Sequence, residues 1–367
     1  MKVTINRATL LKPLQMISGI VERRQTLPIL ANVLMTASEQ SLSLKATDFE
    51  IELMGTVLLE QPAIEGATTV SARKLFDICR ALPDDAILEF VLENEQLVLR
   101  SGKSRFLLTT LPASEFPTIE NSPYLTEFTL SQGKLKNLLS KTYFAMGQQD
   151  VRYYLNGTLI DLNQGVMKCV ATDGHRLAFS SIDDGVPQDA QAKIIVPRKS
   201  VIELMRFLED NQTPVKIGIG ESHFRVIAPD FTFTSKLINA QYPDYDRLIP
   251  RSVENSGTAG REALKQALVR ASILSNEKFR GVRLQLDREL LRIMANNPEQ
   301  EEAEELVHWN YQGDSVEIGF NVAYLLDVVS TITSNMIRWS FSDPNGGVVI
   351  ESDEKDNSLY VVMPMRL

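Results

Sequence analysis

The sequence predicts an α+β fold written three times along one chain, each copy carrying two helices packed on antiparallel sheets. Three observations predict it. A polar turn after an alternating strand recurs at a fixed period, amphipathic helical stretches recur at the same period, and the sequence between the helices alternates apolar and polar at period two. The turns follow Leu42-Ser43-Leu44-Lys45-Ala46, Val166-Met167-Lys168-Cys169-Val170-Ala171 and Leu291-Arg292-Ile293-Met294-Ala295. Their polar residues Asp48, Asp173 and Asn297 stand 125 and then 124 positions apart. The copies are expected at residues 1–125, 126–253 and 254–367.

Each copy opens on an amphipathic helix: Leu10 to Ile17, Leu135 to Met146, and Ala263 to Leu274. Apolar residues at i, i+3, i+4 and i+7 give each a single buried stripe, and Pro13 leaves the start of the first one open. A second helix follows in each. Ala72-Arg73-Lys74 leads into Leu75, Phe76, Ile78 and Cys79; 125 residues on, Pro197-Arg198-Lys199 leads into Val201, Ile202, Leu204 and Met205. In the third copy Phe320-Asn321-Val322-Ala323-Tyr324 leads into Leu325, Leu326, Val328 and Val329. The remainder reads as short strands such as Ile87–Val91, Val215–Ile219 and Tyr360–Met363. Helices on one face of antiparallel sheets make the α+β class.

At 367 residues the chain has room for two or three domains, and 44% hydrophobic with 23% charged residues is an ordinary globular balance. No run of 18 apolar residues suggests a membrane span. The first seven residues alternate like a strand and lack the apolar stretch of a secretory signal. Cys79 and Cys169 form no CxxC pair, so two buried thiols in a reduced, cytoplasmic compartment are expected.

The net charge of −9 argues at first sight against a polyanionic partner. Its distribution reverses that impression. The segments Arg7–Arg24 and Lys134–Arg152 each carry +3; Val70–Arg80, Pro197–Arg206 and Arg261–Arg270 each carry +2; Asn321–Thr333 carries −1. The six helical segments therefore hold +11 and everything else −20. Charged helix faces are often merely solvated, but Glu forms helices as readily as Lys and is sparse here. A shared basic surface facing a polyanion, with acidic strands and loops elsewhere, accounts for the segregation. No zinc-finger spacing, helix-turn-helix pattern or aromatic-rich RNP motif offers base readout, and phosphate contact alone carries no sequence information.

An enzyme is the competing reading, since Asp173, His175 and Arg176 resemble an acid/base constellation. Only His175, His223 and His308 occur, scattered and without metal spacing. There is no Gly-rich phosphate loop and no GxSxG. The equivalent positions hold Asp48/Glu50 and Asn297/Glu299, which points to a repeated turn capped by its Asx side chain. No catalytic residue, metal or cofactor is expected.

Longer runs carry a resemblance over the full length. They are Thr26-Leu27-Pro28-Ile29-Leu30, Gln149-Asp150-Val151-Arg152-Tyr153-Tyr154-Leu155-Asn156-Gly157 and Ala171-Thr172-Asp173-Gly174-His175-Arg176-Leu177-Ala178. To these add Ser275 to Arg283, Ala295 to Glu301 and the C-terminal Val361-Val362-Met363-Pro364-Met365-Arg366-Leu367. In these the chain resembles the bacterial beta clamp family, the beta subunit of DNA polymerase III. The resemblance implies a head-to-tail homodimeric ring with helices lining its central hole. It would be a non-catalytic DNA polymerase processivity factor, sliding on double-stranded DNA and the primer-template single strand. Its partners would be a clamp loader, the polymerase alpha subunit, and other polymerases and repair proteins, held through clamp-binding peptides. A repeat scaffold that binds only protein is the alternative, weakened by the basic helices.

Three sets of residues follow from the resemblance. DNA contacts fall on Arg24, Arg73, Gln149, Tyr153 and Tyr154; of two neighbouring tyrosines in a strand at most one points inward, so one is expected to be exposed. The peptide pocket falls on Leu155, Thr172, Gly174, His175, Arg176 and Leu177, on Pro243 and Arg247, and on Val361, Met363, Pro364, Met365 and Arg366. Without the resemblance the tail reads either as a buried last strand ended by Pro364 or as an adaptable methionine-bearing surface. The dimer contact falls on Lys74, Lys103, Arg105, Phe106 and Leu108 on one side. On the other are Ile273, Leu274, Glu299, Glu301, Glu302, Glu304 and Glu305, with opposite charge aiding specificity and apolar side chains the affinity.

Overall fold

The computed structural model describes residues 1–21, 27–119, 123–250, 254–354 and 356–366. One order of elements is written three times: strand, helix, four strands, helix, three strands. The first copy runs β1 (Lys2–Asn6), α1 (Arg7–Ser18), β2 (Asn32–Ala37), β3 (Ser41–Thr47), β4 (Ile51–Leu58), β5 (Gly66–Ser71), α2 (Ala72–Ala81), β6 (Ile87–Glu93), β7 (Gln96–Ser101) and β8 (Ser104–Leu111). The second runs β9 (Thr126–Ser131), α3 (Gln132–Ser140), β10 (Gly157–Asn163), β11 (Val166–Thr172), β12 (Arg176–Ile182), β13 (Ala192–Pro197), α4 (Arg198–Phe207), β14 (Pro214–Ile219), β15 (His223–Ile227) and β16 (Phe231–Lys236). The third runs β17 (Asn255–Gly260), α5 (Arg261–Ile273), β18 (Gly281–Leu286), β19 (Leu290–Asn296), β20 (Glu302–Tyr311), β21 (Val316–Asn321), α6 (Val322–Thr331), β22 (Met336–Phe341), β23 (Val348–Ser352) and β24 (Ser358–Val362).

Each copy contributes two antiparallel four-stranded blocks, one ordered first-sixth-seventh-eighth and the other fifth-second-third-fourth. Six such blocks make two twelve-stranded sheets, one in each of two compact units. The unit of residues 1–133 and 202–237 holds β1-β6-β7-β8-β5-β2-β3-β4-β16-β15-β14-β9. The unit of residues 134–201 and 238–367 holds β13-β10-β11-β12-β24-β23-β22-β17-β20-β19-β18-β21. The middle copy is divided between the units because its blocks pair outward, β16 on β4 and β12 on β24. A rule emerges: the eighth strand of one copy pairs with the fourth strand of the copy before it. The registers correspond, Ser235 opposite Ile51 and Val362 opposite Arg176.

Besides the sheet-terminal strands β1, β9, β13 and β21, two strands within the sheets have a largely open edge among the described residues. Strand β8 meets β5 only through Thr110 and Leu111, which leaves Ser104–Thr109 unpaired on that edge. Strand β20 meets β17 only through Trp309, Asn310 and Tyr311, which leaves Glu302–His308 likewise open.

The helices form for local reasons. Asn6, Ser71 and Asn321 accept hydrogen bonds from the first-turn amides of α1, α2 and α6. Leu10, Leu14 and Ile17 are buried along one face of α1, which packs on α2, β3 and β4; each such side chain contributes roughly 1.5–3 kcal/mol. Pro13 lies inside α1, and Gly55 of β4 gives its ring room, since a Cβ there would stand 3.0 Å from the Pro13 Cβ. The helix expected through Met146 is shorter: α3 ends at Ser140. The Ser140 and Thr142 hydroxyls donate back to Asn137 O and Leu139 O, and the chain tightens into a separate turn at Tyr143–Ala145.

The charge segregation survives these shorter boundaries. Helices α1 to α5 each carry +2 and α6 carries −1, leaving −18 elsewhere. Part of it is structural, however. Arg7 is buried, donating to Cys79 O and pairing with Asp84, and Lys12 pairs with Asp230 and Glu209. Both cysteines are buried, and burial pushes the Cys79 thiol up to about 12. Among the described residues no helix is long and apolar enough to cross a membrane.

Candidate functional site

The strands β13, β10, β11, β12, β24 and β23 turn one apolar face toward residues 238–250. Leu159, Val170, Leu177, Ile195, Val349 and Val361 lie on it, and Ile238, Ala240, Tyr242, Tyr245 and Ile249 pack across them. Where this strap passes β12 and β24 it leaves a pocket of about 480 Å³. Nine of the expected residues line it: Leu155, Thr172, Gly174, Arg176, Leu177, Pro243, Arg247, Val361 and Met363. Arg152, Tyr154, Leu248 and Gly347 also line it and were not expected there. An apolar cavity of this size with a few convergent polar groups suits a short peptide carrying apolar side chains.

The turn between β11 and β12 shapes one wall. Asp173 Oδ1 accepts from the amides of His175 and Arg176 at 2.9 and 3.1 Å. The Thr172 hydroxyl donates to Arg176 O at 2.6 Å and accepts from the Gly174 amide at 3.1 Å. Gly174 has φ +87, and a Cβ there would stand 3.0 Å from Arg152 Nη1. The missing side chain thus lets the Arg152 guanidinium lie over the turn, where it donates to Asp173 O at 3.1 Å. Asp150 holds the other side of that guanidinium at 2.8 and 3.0 Å, and these bonds hold its carboxyl down to about 2.

Arg176 lines the pocket with its donors already engaged. Its guanidinium donates to Asp173 Oδ2 at 3.0 Å, Phe144 O at 2.8 Å and Asp327 Oδ2 at 2.5 Å. It lies 4.4 Å from the Tyr324 ring centre and 5.3 Å from that of Phe144. The Asp173–Arg176 pair is therefore a capped turn and an ion pair, the reading that the repeated Asx position supports.

Four expected pocket residues sit elsewhere. His175 is exposed beside the pocket, stacked on Tyr324 at 6.2 Å. The Met363 amide donates to His175 O, Pro364 turns the chain, and the Met365 amide donates to Gly319 O on the edge strand β21. Met365 and Arg366 thereby join a separate depression with Asn276, Phe279, Arg283 and Asn297. The tail is neither a longer last strand nor wholly part of the pocket, because Pro364 has no amide to continue the β24 ladder.

Of the DNA set, Arg24 lies outside the described residues. Arg73 is exposed on α2, 3.7 Å from Asp77. Gln149 is exposed with φ +55. Tyr153 and Tyr154 stand in a tight 3₁₀ turn rather than a strand. Tyr153 is 58% exposed, next to the 96% exposed Val151, whereas Tyr154 turns into the pocket.

Of the dimer set, Lys74, Lys103 and Arg105 are exposed and Phe106 is half-buried. Leu108 is a correction: strand alternation turns it into its own core, while Leu107 faces out. Ile273 is 73% exposed and Leu274 half-buried. The acidic side is partly engaged within the chain, Glu305 with Arg270, Glu304 with Arg292, and Glu301 with Asn297. Glu299 and Glu302 are exposed.

Three-domain repeat, sheet order and pocket define the architecture of a replication clamp, and the comparisons agree. The descriptions "DNA polymerase III beta subunit" N-terminal, central and C-terminal domain match residues 1–120, 129–244 and 246–366. The chain is 51% identical to a beta sliding clamp of Pseudomonas aeruginosa and 49% identical to one of Escherichia coli, each over the whole of both chains. It superposes on a crystal structure of a Pseudomonas aeruginosa DNA polymerase III subunit beta bound to griselimycin with a TM-score of 0.97, at 51% identity and full coverage of both chains. The chain belongs to the DNA polymerase III beta subunit family, the beta sliding clamps. Nothing in these matches favours a scaffold without DNA.

Proposed function

We propose that the chain works as half of a closed ring that encircles double-stranded DNA and carries a docking pocket for clamp-binding peptides. As a family member it is a DNA polymerase processivity factor and not a catalytic subunit. The observation that carries the reading is the pairing rule of the sheets. The eighth strand of one copy takes the fourth strand of the copy before it, at both junctions inside the chain. The first copy has an open eighth strand, β8, and the third an open fourth strand, β20. The same rule joins β8 of one protomer to β20 of its partner, head to tail, and a heterologous contact of that kind must close to avoid a filament.

Carrying the register over sets Leu108 opposite Glu301, Phe106 opposite Ala303 and Arg105 opposite Glu304. The exposed Leu107, Leu306 and Ile273 supply apolar area at this seam, with Lys74, Lys103 and Arg105 against Glu299, Glu301, Glu302, Glu304 and Glu305. The three domains are taken at 1–125, 126–253 and 254–367, with the helices toward the hole. Arg24, Arg73, Gln149 and Tyr153 are proposed for DNA, the primer-template single strand included, with Tyr154 serving the pocket. The pocket would serve the clamp loader, the polymerase alpha subunit and other polymerases and repair proteins, in the cytoplasm.

Retention on DNA tests the ring. After loading by a cognate loader with ATP, the protein is expected to stay on circular DNA in high salt and to leave when the circle is cut once. Loss by salt alone, with cutting irrelevant, would mean ordinary phosphate binding and no closed ring.

A further inference from the structure

A second cavity, of about 710 Å³, opens on the same sheet face as the pocket, against β10 and β13. Leu159, Ile195, Lys193, Tyr242 and Tyr245 line it, with Asp244 and Asp246. In the ladder Leu159 is opposite Ile195 and Asp161 opposite Lys193. Positions two apart on a strand share a face, so Asp161 lies on the cavity's side of the sheet, behind the lining residues Lys193 and Tyr245 and not itself in the lining. Asp161 is 4% exposed. Its Oδ2 accepts from the Tyr245 hydroxyl at 3.1 Å and stands 3.5 Å from Lys193 Nζ. Its Oδ1 is buried and has no hydrogen-bond partner among the described residues.

A carboxylate taken out of water calls for more compensation than one hydroxyl donor and one long contact to an ammonium, both on the same oxygen. Lys193 has a side chain 71% exposed and meets Asp161 at 3.5 Å, so it is free to rotate into solvent. Among the described residues no group of three His, Cys, Asp or Glu could hold a metal ion, and the walls are aromatic and aliphatic. We propose that this cavity is a binding site for a small organic cation with a flat apolar body, of the aryl amidine or guanidine class. With Lys193 swung aside, the forked N–H donors take the ammonium's place on the Asp161 carboxylate and supply Oδ1 with the donor it lacks. The body of the ligand lies against Leu159, Ile195 and the rings of Tyr242 and Tyr245.

The site also touches the peptide pocket. Pro243 lines both cavities, and the Tyr242 hydroxyl accepts from the amide of Thr172, a residue of the pocket wall. An occupant that moves Tyr242 therefore moves that wall. This coupling rests on the peptide reading of the pocket; the cation site does not.

The test is a calorimetric titration of the full chain with benzamidine. Saturable binding at one site is expected, weakened at least tenfold by Asp161→Asn and strengthened several-fold by Lys193→Met, which removes the competing ammonium. Thermal melts of both variants check that they fold. Absence of saturable binding, or affinities unchanged in both folded variants, would overturn the site. A fluorescent clamp-binding peptide gives the second readout, a shift in its affinity under saturating benzamidine. Unchanged peptide affinity beside Asp161-dependent benzamidine binding supports the site and overturns the coupling. If no peptide binds even without benzamidine, the peptide reading fails, the coupling falls with it, and the calorimetry alone decides the cation site.

Discussion

The turns at Thr47–Ile51 and Thr172–Arg176 are one piece of backbone built twice. In the first, the Thr47 hydroxyl donates to Ile51 O at 2.8 Å and accepts from the Phe49 amide at 3.1 Å. Asp48 Oδ1 accepts from the amides of Glu50 and Ile51 at 2.9 and 2.7 Å. The second repeats every one of these bonds with Thr172, Asp173, Gly174, His175 and Arg176. Even the left-handed residue corresponds, Phe49 at φ +74 and Gly174 at φ +87. Only the side chains differ. Phe49 stands where Gly174 makes way for Arg152, and the buried Ile51 stands where Arg176 spans Asp173, Asp327 and two rings. The pocket wall thus differs from its counterpart in the first copy by side chains on a shared backbone. The third copy shows the limit of that sharing. Pro298, fixed near φ −65°, cannot take the left-handed place, and in a loop one residue longer the left-handed residue is instead Gln300, at φ +66, three positions after Asn297.

The comparison can be broken by exchanging side chains between the turns. The largest effect is expected from Arg176→Met, which leaves the Asp173 and Asp327 carboxylates and Phe144 O without their shared donor. Stability in urea should fall by about 3 kcal/mol, against less than about 1.5 kcal/mol for Ile51→Met at the matching position. Equal losses would show that the half-buried cation is not what holds this wall. Next comes Gly174→Phe. It strains a φ of +87 and displaces Arg152, so peptide affinity measured by fluorescence anisotropy should drop at least tenfold while stability falls by about 1–2 kcal/mol. Unaltered affinity would mean that the Arg152 position does not shape the pocket. Tyr153→Ser should weaken primer-template binding by several-fold, through loss of a stacking surface, and leave peptide affinity alone because Tyr154 faces the other way. A parallel loss of peptide binding would refute that division of labour. Phe49→Gly should change stability by no more than about 0.5 kcal/mol, the relief of strain being offset by a freer unfolded chain; a large loss would give the first turn a role of its own.

Much of this was legible in the sequence, and for physical reasons. Period-two and period-3.6 patterns are local, so the six helices and the threefold repeat could be read from Leu10 to Ile17, from Ala72 to Cys79 and from their later counterparts. The Asx turns announced themselves because Asp48, Asp173 and Asn297 act on amides within four residues. The pairings that decide the site are not local. Arg176 meets Asp327 from 151 residues away, and nothing near Arg176 signals that its donors are taken. Tyr153 and Tyr154 divide between solvent and pocket through a 3₁₀ turn that alternation does not announce. Met365 and Arg366 leave the pocket because Pro364 redirects the tail, and Leu108 turns inward where Leu107 turns out, a parity that only the β8 register settles.

The sheet junctions have one more consequence. The β4–β16 and β12–β24 ladders are made between parts of a single polymer, so each strand meets its mate at an effective concentration in the millimolar range or above, whatever the amount of protein. A β8–β20 ladder of the same construction has no such tether and is governed by how many molecules are present. The proposed third joint would share its strand pairing with the other two and lack their tether, so dilution would act on it alone. A gate can therefore be defined in such a molecule by the absence of a peptide bond, with no special hinge or latch written into the side chains.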